Sequence, residues 1–126
     1  MTRAPPFTSA QTVFGHGIYL IAAALLLFLA PGVLRLFIPF PEELDWWNRV
    51  LALPVFNLGV LCLGSAWINL PLLVKLTAAT RLLVVASVAI LVASQIAPPL
   101  ALGIGFIDLI SAALTVWALA SEAGRR

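Results

Sequence analysis

A run of apolar residues from 100 to 120 contains a single charged side chain, Asp108. Three further runs with few charges precede it, around residues 18–38, 46–68 and 71–96. About 20 consecutive apolar residues make a helix long enough to cross the hydrocarbon core of a bilayer. A helix also satisfies its own backbone polar groups, as lipid requires. The pattern therefore predicts four membrane-spanning helices.

The composition excludes a soluble domain. Of the 126 residues, 63% are hydrophobic and 10% are charged, whereas soluble domains carry about 25% charged residues. We predict an all-α integral membrane protein with one four-helix transmembrane domain over residues 1–126. Its helices are expected at about 18–38, 46–68, 71–96 and 100–121. Arg3 before an apolar stretch also fits a signal peptide, but Phe28 stands where cleavage needs a small residue, so we expect an uncleaved first span.

The residues between the first two predicted spans are typical of a membrane surface. Prolines at positions 39 and 41 end the first helix, and Asp45 is a candidate N-cap for the second. Trp46 and Trp47 are expected at the interface, where amphipathic indole rings settle. Arg49 follows them as a third interface anchor, facing the nearby acids or lipid phosphates.

Basic residues predict the orientation of the chain. With four spans, both termini lie on one side of the membrane. That side holds most of the basic residues, namely Arg3, Lys75, Arg125 and Arg126, and Arg81 is expected to add to them. Only Arg35 and Arg49 fall on the other side. The positive-inside rule therefore predicts a bacterial-type inner-membrane protein with both termini in the cytoplasm.

Asp108 lies on a face of the fourth helix built from small and polar residues. At about 100° per residue, one stripe collects Ala101, Gly105, Asp108, Ser111, Ala112 and Thr115. The bulky Phe106, Ile110 and Trp117 fall on the opposite side. Small residues are typical of positions where membrane helices approach closely. We therefore predict that the stripe faces the bundle interior and that Asp108 points inward.

Counting along the helices predicts which groups share the level of Asp108. Asp108 lies about 13 Å below the outer face at 1.5 Å per residue. Asn57 reaches a similar depth on the second helix, and Pro31 and Pro54 fall nearby. Each proline inside a span leaves a backbone carbonyl unpaired. We therefore predict a polar layer or small cavity around Asp108 and Asn57.

An acid inside a span is a functional-site hypothesis by default. Three roles remain open for Asp108: a structural hydrogen bond to Asn57, ligand or proton chemistry, and contact with a partner protein. The predicted ligand-binding set is Asp108, Asn57, Arg81 and Ser111.

Arg81 is the second charged residue that falls well inside a span. It lies about eight residues deeper than Asp108, roughly 12 Å along the hairpin, so we do not expect a direct ion pair. Its side chain can snorkel to the interface or bind an anion. It can also join an inward network with Tyr19, Ser65 or Thr115.

Several classes of site lack the residues they need. His16 is the only histidine and is expected at the cytoplasmic edge of the first helix. One histidine does not build a metal or haem site, so we expect no cofactor. Cys62 is the only cysteine and is expected to be a small buried hydrophobe. No basic run indicates nucleic acid.

Scattered residues resemble a known group of membrane proteins. They are Ala30-Pro31, Trp47-Asn48-Arg49-Val50, Leu58-Gly59, Arg81 and Gly105-Phe106-Ile107-Asp108. In this layout the chain resembles small bacterial four-helix membrane proteins of the DoxX-like kind. Some members of that group resemble small subunits of quinone-linked oxidoreductases, and the resemblance implies no catalytic residue here.

These observations favour a non-enzymatic membrane module or accessory subunit that binds a lipid or quinone-like molecule near Asp108 and Asn57. The alternative is a proton-coupled transporter of a small or cationic solute, working as an oligomer. A third possibility is a subunit of a membrane enzyme. The expected partners are membrane lipids, a second copy packed through Gly59, Gly64 or the helix-four stripe, or another membrane protein.

Overall fold

The structure, a computed structural model, describes residues 6–37, 39 and 41–124. This part of the chain folds into helices and turns, without a strand. The helices are α1 (Ser9–Leu29), α2 (Pro31–Leu34), α3 (Asp45–Ile68), α4 (Pro71–Ala93) and α5 (Leu102–Ala123). Single 3₁₀ turns at Glu42–Leu44 and Pro99–Ala101 lead into α3 and α5.

Four helices in the described residues are long and apolar enough to cross a membrane. They are α1, α3, α4 and α5, the last together with the turn before it. Their outward surface is apolar as well: Trp67 is 88% exposed and Leu83 67%. Such a surface would be a liability in water, but it matches hydrocarbon. The predicted all-α four-helix membrane fold is confirmed.

The first helix differs from its predicted bounds. α1 begins at Ser9 instead of near residue 18, because Thr8 and Gln11 form a capping box. It ends at Leu29, because the residue before Pro31 is disfavoured in helical geometry and Ala30 leaves it (φ −139°, ψ 60°). The predicted end, Ile38, lies outside the described residues. Boundaries drawn from apolarity alone missed a polar first turn that belongs to the helix.

The remaining boundaries lie close to the prediction. Asp45 is the first residue of α3 and not its N-cap; its carboxylate instead accepts a hydrogen bond from Arg35 at 3.1 Å. Arg35 also pairs with Glu42 at 3.2 Å. α4 stops at Ala93, three residues before the predicted end, because Gln95 takes a left-handed conformation (φ 59°).

The predicted orientation depends largely on residues outside the described part of the chain. Arg3, Arg125 and Arg126 lie outside the described residues. The cytoplasmic placement of both termini therefore stays a prediction.

The four long helices pack as two pairs. α1 lies along α3, and α5 lies along α4. The pairs meet where α1 contacts α5, whereas the consecutive helices α3 and α4 touch each other little. Val13, Cys62 and Val74 are buried together and bring α1, α3 and α4 to a common core.

Two glycines allow the close approach of α1 and α3. A Cβ atom built on Gly59 would lie 2.7 Å from Ile21 Cγ1 and 3.0 Å from the Gly17 carbonyl oxygen. A Cβ on Gly17 would in turn lie 3.0 Å from the Gly59 carbonyl oxygen. Small residues permit such backbone contact between membrane helices. Gly59 was a candidate for packing against a second copy, but it packs against α1 of the same chain.

We expect Gly59→Ala to lower the free energy of unfolding by about 1–3 kcal/mol, the usual effect of overpacking. Gly64→Ala is the matched control, since a Cβ there meets nothing within 4 Å. The same gain in helix propensity, about 1 kcal/mol, applies to both variants. Unfolding in mixed detergent–SDS micelles measures the difference. Equal stability of the two variants would contradict the close packing.

Candidate functional site

Three ionisable side chains from three helices are buried together inside the bundle. His16 comes from α1, Arg81 from α4 and Asp108 from α5, with 7%, 3% and 6% of their surface exposed. All three lie within helices that are able to span a membrane. Ionisable groups at such positions are costly unless paired and mark functional sites. We call these three residues the ionisable cluster.

His16 links α1 to α5 through both of its ring nitrogens. Its Nε2 lies 3.5 Å from Asp108 Oδ1, and its Nδ1 lies 3.3 Å from Ser111 Oγ. The Ser111 hydroxyl also donates to the backbone oxygen of Asp108 at 3.0 Å. These contacts orient the imidazole ring toward the acid. An imidazole beside a carboxyl group is a pair able to hold or pass a proton.

Arg81 is held by one edge of its guanidinium. Nη1 donates to Thr115 Oγ1 at 2.9 Å and to the Ser111 backbone oxygen at 3.2 Å. The buried Nε and Nη2 atoms have no hydrogen-bond partner in the described part of the chain. Of the three alternatives for this residue, snorkelling is wrong. The inward network is confirmed, with Thr115 as the partner.

A line of polar contacts continues from the cluster to the end of the bundle near the termini. Thr12 Oγ1 lies 2.8 Å from Thr115 Oγ1. One turn further, the backbone N–H and hydroxyl of Ser9 donate to the two oxygens of Glu122 at 2.7 and 2.8 Å. We call Ser9, Thr12, Thr115 and Glu122 the α1–α5 seam. It joins the two helix pairs through hydrogen bonds.

The ionisable cluster lines a cavity of about 80 Å3. Its floor consists of buried residues, namely His16, Cys62, Arg81 and Asp108. Its mouth consists of exposed residues, namely Leu58, Thr80 and Val84. Leu20 and Thr77 lie between them, partly buried. The mouth therefore opens between α3 and α4, the two helices that touch each other little.

Three of the four predicted ligand-binding residues come together. Asp108 and Arg81 line the cavity, and Ser111 contacts both of them. Among the ion pairs of the described residues, none joins Arg81 to Asp108, although both line the same cavity. Asn57 is exposed and does not line this cavity, so its predicted place beside Asp108 is wrong. It precedes the buried Gly59 by two residues, about 200° around the helix.

The predicted helix-four stripe is confirmed. Gly105, Asp108, Ala112 and Thr115 are buried, while Phe106 is 62% exposed on the opposite side. The stripe packs against the other helices of the same chain.

The predicted interface anchors lie on the surface of the first turns of α3. Trp46 and Trp47 are 61% and 48% exposed and contact each other edge to face at 5.2 Å. Arg49 is exposed as well. Their role at a membrane interface stays a prediction.

Sequence reasoning missed His16 as a member of the site. It was expected at the edge of a helix starting near residue 18, but α1 starts at Ser9, which places His16 two turns inside. The capping box formed by Thr8 and Gln11 was the signal that would have found it.

The donor set of the site favours hydrogen bonding over metal binding. Within residues 6–37, 39 and 41–124, no three His, Cys, Asp or Glu side chains are grouped as a metal ion would need. The cluster instead offers guanidinium donors, an imidazole and a carboxyl group on an otherwise largely apolar cavity wall.

No family model, curated protein or solved structure matches the chain. The resemblance to DoxX-like proteins therefore stays a prediction.

We expect Thr115→Val to lower the free energy of unfolding by about 2 kcal/mol, because it removes a hydrogen bond to a buried charged group. Thr80→Val is the matched control, since among the described residues that exposed hydroxyl bonds only Thr77 O of its own helix. Unfolding in mixed micelles measures both variants. Equal stability would show that Thr115 does not support Arg81.

Proposed function

We propose that this four-helix membrane protein is a non-enzymatic module or accessory subunit. It binds a lipid or quinone-like molecule in the cavity over the ionisable cluster. We assign it to a bacterial-type inner membrane on its positive-inside pattern.

The observation that carries this proposal is the position of the cavity. Its floor holds His16, Arg81 and Asp108, all buried, while its mouth is lined by the exposed Leu58 and Val84. The mouth lies along helices able to span a membrane, so it faces hydrocarbon. A molecule with a polar head and an apolar tail matches both ends. It enters sideways from the bilayer, head first.

The unequal packing of the helices supports entry between α3 and α4. α1 and α3 are in backbone contact at Gly17 and Gly59, and the seam joins α1 to α5. Among the long helices, α3 and α4 contact each other far less than α1 contacts α3 or α4 contacts α5. Separating them disturbs few interactions, so this side is the one that admits a ligand.

Cys62 provides a direct test, because it is the only cysteine and lies in the cavity floor. We expect decylubiquinone or dioleoylphosphatidylglycerol, tested separately in detergent, to slow modification of Cys62 by N-ethylmaleimide. At a probe concentration about ten times its Kd, mass action predicts about tenfold slower labelling. Intact-protein mass spectrometry follows the reaction.

The control places the single thiol elsewhere. In a Cys62→Ala, Leu83→Cys variant the thiol lies on the outward surface, where Leu83 is 67% exposed, and neither probe should slow its labelling. Unchanged Cys62 labelling with both probes would contradict the proposal.

A second candidate, a proton-coupled transporter, is supported by the His16–Asp108 pair and the α1–α5 seam. The hydroxyl groups of the seam form a row that begins beside Glu122 and ends at Thr115, which contacts Arg81. Water and hydroxyl groups along such a route would carry protons between one membrane face and the buried pair.

If the protein transports cations, tetraphenylphosphonium added to purified protein in weak buffer should release protons. Asp108→Asn should abolish the release, because the amide has no proton to exchange. Glu43→Gln, which changes an exposed acid, should leave it intact. A pH-sensitive dye measures the release. Its absence from the unaltered protein would argue against this candidate for that class of solute.

A further inference from the structure

One edge of the Arg81 guanidinium is buried and unused. Nη1 is committed to Thr115 and Ser111, while Nε and Nη2 have no hydrogen-bond partner among the described residues. These two atoms form the side-on edge of the group, where two N–H bonds point in parallel. That edge matches the two oxygens of a carboxylate or another oxyanion. Buried donors of this kind are rarely left unpaired.

The neighbours of this edge do not supply the missing acceptor. Asp108 lies in the same cavity and interacts with Arg81 electrostatically. Its Oδ1 lies 3.5 Å from His16 Nε2, and no ion pair among the described residues joins it to Arg81. The Cys62 thiol is close enough to act as a hydrogen-bond partner of the guanidinium, but a thiol is a weak acceptor and does not satisfy two charged donors. Arg81 also lines the cavity, so a stronger acceptor that binds there can replace the thiol at this edge.

We infer that the cavity binds the carboxylate of a long-chain carboxylic acid, with both oxygens on Nε and Nη2 of Arg81. This inference rests on the proposed function and names the chemical class of its ligand. The chain of the acid leaves past Leu58 and Val84, between α3 and α4, into the surrounding hydrocarbon.

The size of the cavity favours a carboxylate over a phospholipid head group. A single water needs roughly 10–15 Å3 of such space. The cavity of about 80 Å3 therefore takes a carboxylate and the first methylene groups. A phosphodiester with its glycerol needs more of the same space, so it fits less closely than a single carboxylate.

The charges of the site balance when this ligand is bound. One proton shared between His16 and Asp108 makes that pair neutral. The ligand carboxylate then neutralises Arg81, so the buried site carries no net charge. Tyr19 and Cys62, which interact with the same groups, add no charge in their protonated forms. Buried charges are tolerated when they are paired in this way.

Binding of radiolabelled palmitate to the purified, unaltered protein tests the inference. We expect saturable binding that unlabelled palmitate displaces and methyl palmitate does not, because the ester carries no negative charge and has only one good acceptor oxygen. Displacement by methyl palmitate as effective as by palmitate would overturn the inference. Displacement by hexadecyl phosphate alone would overturn it in favour of a phosphate ligand. These measurements use the unaltered protein, so they do not depend on whether a variant folds.

Arg81→Lys tests the two-point contact, because lysine keeps the charge and loses the side-on edge. We expect about tenfold weaker palmitate binding, equivalent to one lost charge-assisted hydrogen bond. Arg49→Lys is the matched control at an exposed arginine outside the cavity lining and should bind as the unaltered protein does. Equal palmitate affinity of the two variants would overturn the bidentate contact.

The outcomes also separate this inference from the proposed function. If decylubiquinone protects Cys62 while palmitate does not bind, the carboxylate ligand is rejected and the amphiphile site remains. If neither binds and no lipid protects Cys62, both are rejected.

Discussion

The structure depends on satisfying polar groups where no water is available. In hydrocarbon, helices gain little by burying apolar surface against each other, because lipid tails are equally apolar. Hydrogen bonds and close packing must hold the bundle together. Here the α1–α5 seam, together with the contacts of His16 and Arg81, joins the two helix pairs. The same interactions that connect the pairs also bury the charged groups.

This arrangement explains why the polar site is open on one side. The α1–α3 pair is drawn together at Gly17 and Gly59, and the seam holds α5 against α1. No comparable device in the described residues draws α3 to α4, although a short turn connects them. The cavity opens in that gap. Arg81 is anchored from the α5 side, lines this cavity, and keeps Nε and Nη2 without a geometric hydrogen-bond partner among the described residues.

The sequence predicted which face of a helix turns inward, but it did not predict which residues of other helices that face contacts. The inward face of the fourth helix followed from the spacing of Gly105, Asp108 and Thr115, because helical periodicity fixes which residues share a side. The partner of Asp108 did not follow. Depth counting selected Asn57, which is exposed, and passed over His16, which is 3.5 Å away. The depth of a residue in the membrane does not say which way its helix turns the side chain. An error in the predicted end of a helix also shifts the depth of every residue counted from that end.

By itself, the sequence determined that the chain forms four apolar helices, where most of them begin and end, and that Asp108 turns inward. These properties are local, since they depend on hydrophobicity, periodicity, prolines and caps within each segment. Only the tertiary structure decided that His16, Arg81 and Asp108 share one cavity, and that one guanidinium edge remains unpaired. Those facts depend on which helices pair, how closely glycines let them approach, and how each helix is rotated about its axis. All three depend on packing between segments that are distant in the sequence.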